Sequence, residues 1–270
     1  MSTLANGLAK ARARSVGEPG AVPEPAGLSI AASDRPLDIA RLRRVELDPQ
    51  TLADKRSVVD EHAPANVAYK MLRTRVLQRM RRNDWKTLAV TGTRPGEGKS
   101  LTAINLSMSL ARDLGTSVVL ADLDFRKPSI HSHLGIVTRY GIGDFLRGAV
   151  ALEDVAVCPS IERLGVLVNT RSFESSSEML TSPQTANLVR RVKAGEGRIA
   201  VFDLPPVLAT DDMLAFCPLV DAVLLVVAQG MTRHADMRAA RDVLQKVPIV
   251  GTVLNRSQER VAPYYYYGAA

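Results

Sequence analysis

The stretch TLAVTGTRPGEGKS, residues 87–100, constrains this chain more than any other. A short apolar run enters a glycine-rich turn, and an amphipathic segment starting near Lys99 leaves it, so the turn lies between a strand and a helix. Such a turn is a phosphate cradle. Gly96 and Gly98 permit backbone conformations that aim successive N–H groups inward, and the helix contributes the positive end of its dipole. Pro95, Gly96, Glu97, Gly98, Lys99, Ser100 and Leu101 are the expected nucleotide contacts, with Lys99 reaching the β- and γ-phosphates and the Ser100 hydroxyl ligating Mg²⁺. The pattern G-x-x-x-x-G-K-[ST] departs at its first position, where Thr93 stands with Gly92 beside it. An ordinary glycine turn is the competing reading, and the strand before, the helix after and the GKS ending weigh against it.

Around this loop, short apolar runs alternate with longer amphipathic ones: SVVLAD, RIAVFD, AVLLVVAQG and VPIVGTVLN are the remaining strand candidates. The alternation implies crossover units and an α/β fold, a mostly parallel sheet with helices on both faces. Residues 1–50, rich in Ala, Pro, Gly and Arg without sustained period, read as a disordered N-terminal segment. Residues 51–257 read as the phosphate-loop domain, entered by a helix over 64–82 whose apolar face is Ala65, Tyr69, Leu72, Val76 and Met80. Residues 127–197, with YGIGDFLRGAVALEDV and SSEMLTSPQTANLVRRVKA, read as a helical elaboration, and 258–270 as a flexible tail.

The net charge of +7 is concentrated. Residues 1–62 balance nine basic against nine acidic side chains, whereas 63–86 carry Lys70, Arg73, Arg75, Arg79, Arg81, Arg82 and Lys86 against Asp84 alone. One basic helix on a balanced protein points to an acidic partner, an anionic membrane face or a neighbouring subunit rather than to nucleic acid, with a solvated helix face as the plain alternative. No stretch approaches the roughly 18–20 apolar residues of a spanning helix, and the first residues lack the apolar core of a secretory signal, so a cytoplasmic location is expected. Cys158 and Cys217 fit neither a disulfide framework nor a metal cluster and read as small buried apolar residues.

Two further runs end in carboxylates. SVVLADLDFRKP places Asp122 and Asp124 at a strand's C-terminal end, the edge where open parallel sheets bind ligands, and RIAVFDLPP ends its strand in Asp203. Ser100, Asp122, Asp124 and Asp203 together suit a hard cation such as Mg²⁺ beside the phosphates. A lone aspartate at a strand end is as often a turn former; three downstream of GEGKS are a site. Phosphoryl transfer needs charge neutralisation by Lys99 and a cation, and a group to take the acceptor's proton; Asp122 is the candidate base. Lys99, Asp122, Asp124 and Asp203 are thus the expected catalytic set.

The tail VAPYYYYGAA supplies a candidate acceptor, since Tyr264, Tyr265, Tyr266 and Tyr267 are four of the chain's six tyrosines. With TRPGEGKS, VVLADLDFRKP and AVFDLPPVLATDD, this cluster makes the chain resemble the bacterial tyrosine kinases of capsule and exopolysaccharide systems, in their stand-alone cytoplasmic form, from about Tyr69 to Tyr267. The resemblance implies a fold of the deviant Walker A ATPase superfamily, ATP and Mg²⁺ as cofactors, and autophosphorylation of the tail between neighbouring subunits of a homo-oligomer. It further implies a membrane-bound polysaccharide co-polymerase that activates the kinase and recruits it to the inner membrane face, an opposing phosphatase, and an adenine contact from Asn255 in GTVLNR. The family's self-association helix is typically EAYRxLR; here it reads VAYKMLR, with Val67 and Lys70 as departures and Arg73 as a match. Arg94 stands where partition ATPases carry a lysine that reaches across a dimer. Two alternatives to the kinase therefore follow: a partition- or septum-type nucleotide switch, and a weakly active nucleotide-binding scaffold of the polysaccharide machinery.

Overall fold

A computed structural model describes residues 34–57 and 64–258. Among the described residues eight strands form one sheet: β1 (Arg43–Val45), β2 (Thr87–Gly92), β3 (Ser117–Asp122), β4 (Ala156–Pro159), β5 (Leu164–Leu167), β6 (Arg198–Asp203), β7 (Ala222–Ala228) and β8 (Ile249–Asn255). Their order is β1-β4-β5-β3-β6-β2-β7-β8, and every pairing is parallel except β4 with β5. The helices are α1 (Pro49–Asp54), α2 (Pro64–Arg82), α3 (Lys99–Ala111), α4 (Ile130–Leu134), α5 (Ile142–Leu146), α6 (Leu152–Val155), α7 (Ser176–Leu180), α8 (Pro183–Lys193), α9 (Asp212–Phe216) and α10 (His234–Val243).

Side chains alternate across a strand, so neighbouring residues of the central strands enter different cores. Leu88, Val90, Val118, Leu120, Val201 and Leu224 join one layer with Val76 and Met80 of α2 and Ile104 and Met108 of α3. Ala89, Val119, Ala200, Phe202, Val223 and Leu225 join the opposite layer with Leu188 and Val192 of α8 and Ala240 of α10. Every residue of β2 and β7 is buried, which explains why both read as unbroken apolar or β-branched runs. The expected α/β architecture with both faces covered is the one observed.

Two sequence expectations require correction. Residues 34–50 were expected to be disordered, yet they carry a 3₁₀ turn (Ile39–Arg41), the edge strand β1 and the start of α1. Leu37 is 1% exposed, its N–H donates to the Arg191 carbonyl (3.1 Å), and its own carbonyl accepts from Arg198 (3.2 Å). The apolar residues are few and aperiodic because β1 spans three residues and is held from outside the segment. Residues 1–33 lie outside the described residues. Within 127–197, β4 and β5 interrupt the expected helical elaboration; each is four residues, too short to display a period.

Helix α2 has the expected bounds, with Val76 and Met80 buried, Tyr69 and Leu72 half-buried, and Ala65 exposed. Three of its cations serve the fold. Arg73 donates to the Ser109 carbonyl (3.2 Å), Arg79 to the Val250 carbonyl, and Arg81 pairs with Asp113 at 2.7 Å. Cys158 and Cys217 are free thiols, buried and half-buried respectively. If residues 34–45 are integral to the domain, Leu37→Ala should cost about 2–4 kcal/mol in denaturant unfolding, the range for emptying a closed apolar site. A loss near zero would return the segment to a loose tether.

Candidate functional site

The loop between β2 and α3 is shaped by a buried carboxylate of its own. Glu97 is fully buried and accepts from the Thr93 N–H (2.6 Å), the Thr93 hydroxyl (2.6 Å), the Arg94 N–H (2.9 Å) and the Thr232 hydroxyl (2.5 Å). The departure at position 93 has its reason here, since Thr93 contributes a hydroxyl that glycine lacks. Glycine at 92 is required instead: a Cβ there would overlap the Glu97 carboxylate and approach the Val226 carbonyl to 2.9 Å. Gly96 and Gly98 have φ of 85° and 88°, left-handed conformations that disfavour any side chain. Gly98 caps α3 with no side-chain bond, which leaves the first N–H groups of the helix available to an anion.

The carboxylates meet where β3 and β6 end. Asp122 is paired with Asp203 in the strand register, and both are fully buried. Asp122 Oδ2 accepts from the Ser129 and Ile130 N–H groups, each at 3.0 Å, while Asp122 Oδ1 and both Asp203 oxygens have no partner. Burial, then the neighbouring Asp203, drives the Asp122 carboxyl well above the usual carboxylate range. Burial lifts Asp203 to about 7, opposed by the nearby Ser100 hydroxyl and Lys99 ammonium, although no hydrogen bond of regular geometry reaches either oxygen. Asp124 is raised mainly by burial, with its Oδ1 accepting from the Lys127 N–H at 3.0 Å.

An open cavity of about 380 Å³ lies over these groups. Pro95, Gly96, Gly98, Lys99, Ser100 and Leu101 face it from the loop and the start of α3, and Asp124 from the segment just after β3. Asp122 and Asp203 lie beneath rather than on the wall, and Glu97 turns inward to hold the loop. Asn255 also lies off the wall: its amide donates to the Glu97 carbonyl at 2.9 Å. The expected Ser100-plus-three-carboxylate cage is not assembled, because Asp124 sits past the strand end and turns to Lys127. Among the described residues no three His, Cys, Asp or Glu side chains group closely enough to hold a metal by themselves. The orphaned oxygens of Asp122 and Asp203 do fit a cation that completes its shell with phosphates and water.

Several residues of the site carry no local sequence signal. Thr232 reaches Glu97 from the turn before α10, and Asp236 binds Arg94 in a fork at 2.8 and 2.9 Å. At the rim, Arg126 lies 3.5 Å from buried Asp212, which accepts from the Ser176 hydroxyl at 2.8 Å. His133 lines the cavity with its Nδ1 2.9 Å from the Ser129 carbonyl.

A strand–glycine loop–helix cradle, with carboxylates on two neighbouring parallel strand ends, defines a nucleotide-binding protein of the P-loop class. No family model matches the chain. It is 30% identical to the VpsO kinase domain over 72% of this chain and 96% of that one, with a TM-score of 0.65. It is 28% identical to tyrosine-protein kinase YwqD of Bacillus subtilis (strain 168), over 74% of this chain and 85% of the relative. The chain belongs to the bacterial tyrosine-kinase family and is by class a protein-tyrosine kinase. A longer relative, the succinoglycan biosynthesis transport protein ExoP of Rhizobium meliloti (strain 1021), is 29% identical over 75% of this chain, which spans 26% of ExoP.

The carboxyl pair gives a pH signature. With Asp203 at about 7 against 3.8 for a free carboxyl, the folded protein keeps a proton that the unfolded chain has lost between those values. This group therefore costs more stability as pH rises through that window, and the cost is complete above it. In protein free of metal and nucleotide, Asp203→Asn should raise Tm by a margin that is small near pH 4 and grows to a plateau above about pH 7. A margin independent of pH in thermal unfolding would show that Asp203 is unshifted.

Proposed function

We propose that this protein transfers the γ-phosphoryl group of ATP, with Mg²⁺, to its own C-terminal tyrosines, Tyr264, Tyr265, Tyr266 and Tyr267, and thereby regulates capsular or exopolysaccharide synthesis or export. The tyrosines lie outside the described residues. The observation that carries the reading is the placement of Lys99, Ser100 and Asp124 on one cavity, with Asp122 and Asp203 directly beneath. Loop N–H groups and Lys99 bind and orient the phosphates. Ser100 and Asp203, with Asp122 and Asp124 beside them, would hold Mg²⁺, which would supply positive charge against the phosphates and keep the adjacent carboxyls ionised. The phenol oxygen bonds to the γ-phosphorus as the bridging β–γ bond breaks; ADP leaves and the phenol proton passes to Asp122. Asp122 Oδ1 has no hydrogen-bond partner, which leaves it open to receive that proton.

The polysaccharide role is supported by the succinoglycan name of ExoP, and we extend it to a membrane-bound co-polymerase as activator and a phosphatase as antagonist. We also propose that such a partner attaches the protein to the membrane's inner face; among the described residues no helix is long and apolar enough to cross a membrane. Transfer to a neighbour's tail calls for a homo-oligomer, and the altered VAYKMLR segment lies in the first half of α2, with Val67 51% exposed.

Purified protein incubated with ATP and Mg²⁺, and with the activator's cytosolic segment, should gain tail mass in units of one phosphate. Lys99→Met and Asp122→Asn should abolish the gain, and joint Tyr264–Tyr267→Phe substitution should abolish it while leaving ATP affinity unchanged. An unmodified tail with brisk ATP hydrolysis would favour the partition-type switch. Loss in Asp124→Asn with activity retained in Asp122→Asn would move the proton-accepting role to Asp124.

A further inference from the structure

The strand that precedes the tyrosine tail ends on the phosphate loop. Asn255, the last residue of β8, donates its side-chain amide to the Glu97 carbonyl at 2.9 Å. Arg256 donates its guanidinium to the Gly96 carbonyl at 2.7 Å. The two are also joined to each other, the Arg256 N–H donating to Asn255 Oδ1 at 2.8 Å, while Gln258 and the Asn255 carbonyl bond to Gln229 at 2.9 and 3.0 Å. Arg256 has φ of 56°, left-handed backbone for a residue with a Cβ, so the contact is held under strain. The approach is close enough that a Cβ on Gly98 would overlap the Asn255 amide.

In a trans peptide the carbonyl and the following N–H point in opposite directions. The Gly96 carbonyl shares its peptide plane with the Glu97 N–H, and the Glu97 carbonyl with the Gly98 N–H. Holding both carbonyls on the outer side fixes the direction of two successive N–H donors. We propose that Asn255 and Arg256 form a latch by which the root of the tyrosine tail sets the phosphate loop in its nucleotide-receiving shape. Arg256 is a positioning residue in this arrangement, not a catalytic one. The inference rests on the nucleotide reading above and adds a coupling. Tyr264 lies eight residues beyond Arg256, about 27 Å at full extension, so a tail drawn farther than that pulls the latch open and loosens the loop. Coupling is reciprocal, and nucleotide bound in the loop in turn steadies the tail root.

Amide hydrogen exchange of the full chain without nucleotide tests the latch directly. Arg256→Ala should speed exchange at residues 94–98 without a matching fall in Tm, and Arg256→Lys, which keeps one donor, should recover part of the protection. ADP affinity by calorimetry should weaken roughly tenfold in Arg256→Ala, as for loss of one charge-assisted hydrogen bond. A chain ending at Gln258 should bind ADP like the full chain, and one ending at Asn255 like Arg256→Ala. ADP should also slow exchange at residues 256–258 in the unsubstituted protein. Unchanged loop exchange in Arg256→Ala, or no effect at 256–258 of ADP shown by calorimetry to be bound, would overturn the proposal. If the unsubstituted protein binds no ADP, the nucleotide reading falls, and loop exchange still decides the latch.

Discussion

Two carboxyl groups placed side by side at the ends of adjacent buried strands set the terms for the rest of this structure. Asp122 and Asp203 share a register position in the β3–β6 pair, and three of their four oxygens are without partners. Such burial opposes folding, since each group must keep its proton or meet a positive charge. The chain accepts the cost because apolar layers cover both faces of the sheet around it, from Phe202 and Phe216 on one side to Leu106 and Leu120 on the other. What is unfavourable in the empty site becomes useful beside phosphates and a cation, where ionised carboxylates are wanted. Strand order completes the placement: β6 lies between β3 and β2, so Asp203 stands on the strand beside the one that feeds the phosphate loop and Asp122 one strand further out.

The loop handles a third buried carboxyl group differently. Glu97 is satisfied by four donors from Thr93, Arg94 and Thr232, and it spends its charge on fixing backbone. Arg94 is committed outward, to Asp236 on α10, in a forked ion pair. That commitment bears on the partition-type alternative, whose signature residue at this position must reach a neighbour. An arginine already engaged in a fork within its own chain has to break two charge-assisted bonds before it can do so. The same loop is therefore held from three directions, by its own glutamate, by the turn before α10 and by the end of β8. Its donors are preorganised before any ligand arrives, which is the condition under which fixed dipoles stabilise phosphate charge most effectively.

Much of this was legible in the chain because its signals are local. The β2–loop–α3 unit is continuous in sequence, α2 carries a clear helical period with both bounds recovered, and Asp122 and Asp203 each close an apolar run. What escaped reading is long-range. β1 is three residues whose binding partners, Val157 to Pro159, lie more than a hundred positions away. β4 and β5 were absorbed into a helical region because four buried residues fit either period. Thr232 and Asp236 look like any turn and helix start until the fold lays them on Glu97 and Arg94. The exposure of the three aspartates was unreadable too: sequence gives them one edge, but only packing puts Asp124 on the cavity wall and the other two beneath it.

The sheet order also decides where the chain's last segment begins. β2 carries the phosphate loop, β7 pairs with β2, and β8 pairs with β7 on the outer edge, all parallel, so all three release the chain on the same side. A strand lies about 4.8 Å from its neighbour, so the end of β8 emerges only two strand spacings from the loop. Had β8 joined the opposite edge beside β1, its end would lie far from the nucleotide and Asn255 could not touch Glu97. Neighbouring order thus makes the contact between tail root and loop a geometric consequence of the fold. The residues at the junction, an asparagine whose amide fits against Gly98 and an arginine in left-handed backbone, turn that proximity into hydrogen bonds between the end of β8 and the loop after β2.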